Sequence, residues 1–522
     1  MIALSCGTPQ RICVRRIGQL DLTPLAGTEE GLDPFFSPSG AWLAFVSGTR
    51  LKKVRLDGGP VVDLTAGFWE GGAWSPDDQL IYAPNSSTGL YRIPASGGAP
   101  QVLTAPDSAR REVGHWWPQL LPDGHTVIFS DYAFPFKNSR IEAVDLRSRK
   151  RTVLVEGAVY GLYVKTGHLL FTRGTRTVYA VRLNTSTLKT EGEPVQVLDD
   201  VEILRPAGLS SFTVSDNGTL AYLPRSRWTP QTSLVWVDRS GKEEPLPLEP
   251  GDLSEPRISP DNKKVSFTRT DEHRDVWLFD RARSLATPFT RHEGEAFGSV
   301  WMPDSRRILY ISERPGFEIY WRAADLGSPE ERLPQSTGGD NVPISVSPDG
   351  KLLAYGEFAL AAHIRFLALD GSATSITFPA TPQSQWQPVF SPDGRWLAYT
   401  SDESGRAEVY VRPFPNLTGA RQQVSSDGGG EARWSRAGRE IIFRHGSRMM
   451  TTSFDPAAGV PGRPVELFRG DYVQAYPVGS YSYDVTLDGN RFLMAKPQAT
   501  GGRDVVIVVN WFAELARTLA KK

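Results

Sequence analysis

Short apolar runs, each led by a polar turn, alternate along nearly the whole chain, and this alternation predicts strands rather than helices. The clearest copy is Phe390-Ser391-Pro392-Asp393-Gly394-Arg395-Trp396-Leu397-Ala398-Tyr399. Pro392 presets φ for the second position of a turn, Asp393 can bond the local backbone, and Gly394 accepts a left-handed conformation. The segment reads as strand, tight turn, strand.

The residue equivalent to Gly394 recurs as Gly40, Asp78, Gly124, Gly167, Gly218, Asn262, Ser305, Gly350, Gly438 and Gly489, at spacings of 38 to 51 residues. After each turn comes a strand ending in a large residue, as in Trp42-Leu43-Ala44-Phe45 and Ile441-Ile442-Phe443. A third strand follows about ten residues later, as in Val276-Trp277-Leu278-Phe279 and Val409-Tyr410-Val411. A fourth, more polar one precedes the next turn, as in Gln422-Gln423-Val424. Four strands in a unit of about 44 residues, joined by local hairpins, is the pattern of β-propeller blades that bury their faces against one another.

Eleven anchors are many for one ring. Ile12 to Gly18 with Leu22 to Leu25, and Leu234 to Arg239 with Glu244 to Leu248, each read as the outer half of a blade that opens a ring. Their inner strands are expected near residues 210–223 and 482–496, with 224–232 as a linker. The expected architecture is therefore all-β: two propellers of about five and six four-stranded blades, at residues 10–225 and 230–512, with one large ring as the alternative. Val505 to Val509 reads as a buried strand, and 513–522 as a short helical tail.

Composition narrows the function. Among 522 residues, 58 Lys and Arg stand against 59 Asp and Glu, so no global field favours nucleic acid or an acidic membrane surface. The 49 Gly and 40 Pro suit many tight turns. Cys6 and Cys13 have no metal-ligand companions, and two free thiols are expected rather than a pair. No secretory signal and no run of 18 apolar residues is present, so the chain is expected to be soluble, without a span or an address.

The Ser-Pro-Asp-Gly blades resemble TolB-like and WD-repeat-like propeller units. More specifically, Pro34-Phe35-Phe36-Ser37-Pro38, Trp117 to Gly124, Leu234 to Gly241, Glu403 to Pro415, Arg491-Phe492-Leu493-Met494 and Asn510-Trp511-Phe512 resemble the C-terminal propeller region of bacterial serine/threonine protein kinases. In that family a kinase domain and a membrane span usually precede the propeller. The resemblance thus implies an extracytoplasmic sensing or interaction role, although this chain carries neither of those parts.

Kinase chemistry is not expected. His273-Arg274-Asp275 matches the start of a catalytic loop, but the apolar strand Val276 to Phe279 follows it, and no glycine-rich phosphate loop, strand lysine or Asp-Phe-Gly is found. There is no Gly-x-Ser-x-Gly, no P-loop and no His-Glu-x-x-His, since His292-Glu293 lacks its second histidine. The chain is expected not to be an enzyme, and no cofactor or metal is expected.

A propeller's channel mouth is the place to look for a ligand, and the segments entering each innermost strand open there. They contain Trp69, Glu70, Glu112, His115 and Trp116 in the first ring, and Glu255, Glu295, Phe297, Asp340, Trp386 and Glu431 in the second. Aromatic residues with carboxylates at a concave mouth suit a peptide, a sugar or a cation. The expected function is a non-catalytic binding or sensor module for a protein partner or small ligand. The alternative is a propeller lyase or glycan hydrolase with convergent carboxylates.

Overall fold

The computed structural model describes all residues except 8–9, 20, 49, 67–70, 86–87, 111, 134–137, 174–175, 205–208, 226–230, 272, 292–293, 313–317, 334–339, 359–361, 373–375, 380, 382, 436, 475–480, 499–504 and 521–522. The turn chemistry repeats as its residue types require. At all eleven anchors the backbone N–H donates to the carbonyl three residues earlier, as from Gly394 to Ser391 at 2.9 Å. Every anchor has a positive φ, between 60° at Asn262 and 82° at Gly167. This is a type I turn closed by a left-handed residue, which splices the two strands in register. Ser391 Oγ donates to Asp393 at 2.6 Å and accepts from the Trp396 N–H at 2.9 Å. Ser347 with Asp349, Ser259 with Asp261 and Thr486 with Asp488 repeat that inner bond.

The described residues form a β-propeller fold built almost entirely from antiparallel sheets of sequential strands. The chain divides into two compact units, one of Met1–Thr229 with Gly501–Lys522 and one of Pro230–Thr500.

In the second unit six sheets follow one another, and the first is closed by both ends of the segment. Thr232–Asp238 pairs antiparallel with Arg491–Pro497, from Thr232 opposite Pro497 to Asp238 opposite Arg491. Neighbouring blades share apolar cores. Val389, Ala398, Val409 and Val411 of one blade pack with Ala432, Trp434, Ile441 and Phe443 of the next, all buried. This face-to-face burial excludes water between the sheets, which is the main force holding a ring of repeats together.

In the first unit the closing arrangement differs from the expected one. Ile2–Cys6, Arg11–Arg15 and Thr23–Pro24 form a three-stranded sheet of their own. Leu220–Tyr222 pairs instead with Val506–Val508, so the last strand completes a sheet of the first unit. The helix Trp511–Ala520 follows it and buries Trp511 and Leu515 against Val164, Leu170, Val178 and Phe212. Apolar periodicity alone marks such a strand and helix as buried, and does not say against which blade.

Cys6 and Cys13 are joined as a disulfide, which corrects the expectation of free thiols. The hairpin between them sets Ile2–Cys6 beside Arg11–Arg15 and brings the two Cα atoms to 5.9 Å, within the span a disulfide bridges. Among the described residues, no helix is long and apolar enough to cross a membrane.

Candidate functional site

Along most of each unit a blade's first strand lies against the first strand of the next blade, as the channel wall of a propeller does. Six of these strands share one irregularity. Their register shifts between Leu32 and Phe35, Trp116 and Gln119, Ser254 and Arg257, Phe297 and Val300, Trp386 and Val389, and Gly430 and Arg433. Within those intervals Asp33, Trp117, Glu255, Gly298, Gln387 and Glu431 have φ between 46° and 65°. Such a bulge re-aims a side chain that would otherwise alternate between sheet faces. Each of these residues lies four positions before the first residue of its turn, so the site is periodic in the sequence.

In the first unit two of these positions, Trp117 and Tyr160, hold aromatic rings, whereas the blades before them hold Asp33 and Gly71. Trp117 meets Tyr160 edge-on at 5.5 Å, and Tyr160 meets Phe212 at 5.3 Å. Gly71 leaves room for Trp117, since a Cβ there would lie 2.6 Å from its Cδ1 and 2.8 Å from its Cα. Asp33 is partly buried in this unit, and desolvation pushes its carboxyl up to about 7.

In the second unit three of these positions, Glu255, Gln387 and Glu431, carry oxygens that stitch blade to blade. The Glu255 carboxylate accepts from Thr268 Oγ1 at 2.8 Å and from the Gly298 N–H of the next blade at 2.9 Å. Gln387 Oε1 accepts from Thr400 Oγ1 at 3.1 Å and from the Glu431 N–H at 3.0 Å. The Glu431 carboxylate accepts from the N–H and Oγ of Ser482 at 2.6 and 2.8 Å. Bulging leaves a backbone N–H out of the ladder, and the neighbouring side chain takes it up.

Two residues beyond Glu255 and Glu431 on the same strands stand Arg257 and Arg433, both buried. Their guanidiniums lie 5.3 and 3.6 Å from the ring centre of Tyr481. The Arg433 Nε is 3.3 Å from Asp484, whose other oxygen accepts from the Ile258 N–H at 2.8 Å. Tyr481 and Tyr483 donate to the carbonyls of Gln387 and Glu431 at 3.0 and 2.8 Å. Burial, aided by the charge of Arg433, pulls Arg257 down to about 10.

The remaining sequence candidates fall in different places. Trp69 and Glu70 lie outside the described residues. Glu112, His115 and Trp116 come together in the first unit, but all three are buried within a blade rather than open at a mouth. Trp116 stacks on Tyr132 with ring centres 3.9 Å apart. Glu295 is buried and accepts from Arg274 Nε at 2.9 Å, while that guanidinium sits 3.4 Å from the ring centre of Phe297. Arg274 and Asp275 open the strand Arg274–Asp280, where no kinase loop forms. Asp340 begins the strand Asp340–Val346, opposite Phe358. Trp386 is buried beside the bulge, and the residue at the bulge itself is its equally buried neighbour Gln387, which sequence reading missed. Counting four back from each turn identifies Gln387, whereas looking for acids and aromatics does not.

The residues around His115 include three potential metal ligands. Glu112, His115 and Asp131 can bring ligand atoms within 4.8 Å of one another. His115 Nε2 lies 3.2 Å from Glu112 and 4.0 Å from Asp131, and Nδ1 bonds Thr104 Oγ1 at 2.7 Å. The carboxylates, however, are already matched by three arginines. Arg151 bonds both oxygens of Glu112 at 2.9 Å and Glu142 at 2.7 Å, Arg110 bonds Glu142 at 2.7 Å, and Arg140 bonds Asp131 at 3.0 Å. Burial raises the Glu112 carboxyl, but hydrogen bonds from His115 and Arg151 outweigh it and hold the group well below the usual carboxylate range. Desolvation, reinforced by Glu112 and Glu142, pushes Asp131 up to about 7, and desolvation lowers His115. A dication would add charge beside three guanidiniums, so these residues fit a structural ion network and not a metal centre.

No family model matches the chain. Among curated proteins it is similar to the uncharacterized protein Atu1656 of Agrobacterium fabrum, with 28% identity over 153 residues, covering 27% of this chain and 52% of that protein. It is also similar to the uncharacterized peptidase YuxL of Bacillus subtilis, with 21% identity over 212 residues, covering 30% of this chain and 32% of that one. The chain thus spans about half and a third of the lengths of these two relatives. A peptidase-named relative corrects the expectation that the chain stands apart from enzymes. That expectation rested on linear motifs, which report only on chemistry carried by neighbouring residues. Among solved structures the chain is similar to a TolB from Agrobacterium tumefaciens, with 16% identity and a TM-score of 0.42 over 52% of this chain and 99% of that one. Similarity of this degree concerns the fold alone, and the propeller assignment stands on the sheets described above.

Proposed function

We propose that the chain is a binding or sensor module whose ligand, a small molecule or a segment of a partner protein, is taken in the channel of the second unit. Each unit is read as one propeller, over residues 10–225 and 230–512, apart from the closing strand Val506–Val508. The observation that carries the reading is a contrast between the inner strands of the two units, in which the first adds Asp33 alone as a charged group at the bulge position. Trp117 and Tyr160 pack together in the first unit, whereas Glu255, Gln387 and Glu431 put oxygens, and Arg257 and Arg433 put guanidiniums, on the inner strands of the second. A polar, prearranged wall of this kind is what ligand recognition needs. The resemblance to kinase-linked propellers supports a sensor used beside a kinase.

Hydrogen exchange of the whole chain, with and without peptides, sugars, nucleotides and divalent cations, tests this. Protection of Gly430–Trp434 and Tyr483–Val485 by one of these classes is the expected result. Protection confined to the first unit, or none with any class, would overturn it.

A second reading takes peptides as the ligand class, in the service of a peptidase. The match to a peptidase-named relative favours it, and peptide-specific protection of the same strands would support it.

A further inference from the structure

Resting on the channel reading above, we propose that the ligand presents an oxyanion, a carboxylate or a phosphate, to Arg257 and Arg433. Arg257 is only 5% exposed and forms no ion pair among the described residues. Its Nη1 donates to the carbonyls of Pro256, Tyr481 and Tyr483 at 2.9, 3.1 and 3.4 Å, while its buried Nε has no acceptor. Asp484 and Glu255 act on it through their charge, but a guanidinium stripped of water with no carboxylate in direct contact is costly, and proteins keep such groups where a partner completes them.

Arg433 shares the face of the same ring, Tyr481, and its Nε also lacks a hydrogen bond, although Asp484 lies 3.3 Å away. Among the described residues the two arginines therefore have one carboxylate, Asp484, at ion-pair distance, and it already accepts from the Ile258 N–H. Glu431, the other nearby acid, is held by Ser482 and faces the charge of Arg444. Glu255 points to Thr268 and the next blade. Two guanidiniums beside one aromatic plane are suited to a planar or tetrahedral oxyanion, which takes paired N–H donors.

The test is calorimetric titration of the full chain with inorganic phosphate, N-acetylglycine and N-acetylglycinamide, repeated on Arg257→Gln and Arg433→Gln. Binding of phosphate or of the carboxylate, absent with the amide and weakened at least about tenfold in either variant, is the expected result. The arm that binds names the oxyanion. Arg433→Gln keeps the three carbonyl contacts of Arg257, so it remains informative if Arg257→Gln fails to fold. Equal binding of the amide and the acid would overturn the oxyanion while leaving a channel site standing. Absence of binding by all three probes overturns the oxyanion proposal too, and the exchange experiment above then decides the channel reading separately.

Discussion

The carboxylate of Glu431 accepts the backbone N–H of Ser482 on the next blade at 2.6 Å, while the N–H of Glu431 is itself taken by Gln387 of the preceding blade at 3.0 Å. One residue thus joins three blades through a bulge that its own left-handed φ of 56° creates. Replacing Glu431 by Ala leaves the buried Ser482 N–H without an acceptor, at an expected cost of about 2 kcal/mol. Glu431→Gln keeps an oxygen at that place and is expected to cost less. Urea unfolding of both variants measures the difference, and equal stabilities would show that the carboxylate is not the link.

Gly71 is expected to tolerate no side chain. An alanine Cβ would sit 2.8 Å from the Trp117 backbone at a φ of 91°, so both overpacking and backbone strain act. Gly71→Ala should cost about 2 kcal/mol or more. Thermal unfolding followed by tryptophan fluorescence reads it, and an unchanged midpoint would refute the tight contact.

Asp131 carries a pH dependence whose sign follows from its raised folded-state pKa. Between the unfolded value near 3.8 and the folded value of about 7, the folded state holds the proton that the unfolded state has lost. Stability from this group is present below the lower value and is lost as pH rises through the upper one. Asp131→Asn removes that loss and keeps an oxygen for Arg140. Its stability relative to the parent should therefore rise from pH 5 to about pH 7, by roughly 1.4 kcal/mol for each pH unit, and level off by pH 8. His115, whose shift has the opposite sense, is common to both proteins. A constant difference across that range would refute the assignment.

Leu515 anchors the terminal helix to the first unit with 1% of its surface exposed. Leu515→Ala should cost about 3 kcal/mol and increase hydrogen exchange in Leu220–Tyr222 and Val506–Val508, which the helix follows. Leu285, which is exposed, is the control, and its replacement by Ala should change little.

The repeat was legible because each turn is a local device. Ser391, Asp393 and Gly394 satisfy one another within a few residues, so the eleven anchors can be counted without any knowledge of what packs on them. The partner of Val506–Val508 was not legible, because an apolar strand fits any open sheet edge and only the assembled unit shows that the edge it fills is that of Leu220–Tyr222. The candidate residues divide in the same way. Glu255 and Glu431 were found as acids near a turn, whereas their carboxylates stitch one blade to the next. Gln387 was passed over because an amide beside Trp386 looks unremarkable until its acceptor role is seen.

By itself the sequence determined the β-propeller blades, their spacing and the polar turns, because these depend on backbone preferences and on apolar periodicity within a few residues. Only the tertiary structure decided that Cys6 meets Cys13, that Glu112 and His115 are sealed in an ion network, and that Arg257 is buried near Arg433 with no carboxylate at ion-pair distance among the described residues. Those outcomes depend on charges and rings brought together from positions up to hundreds of residues apart, where burial and not local sequence sets the energy of each group.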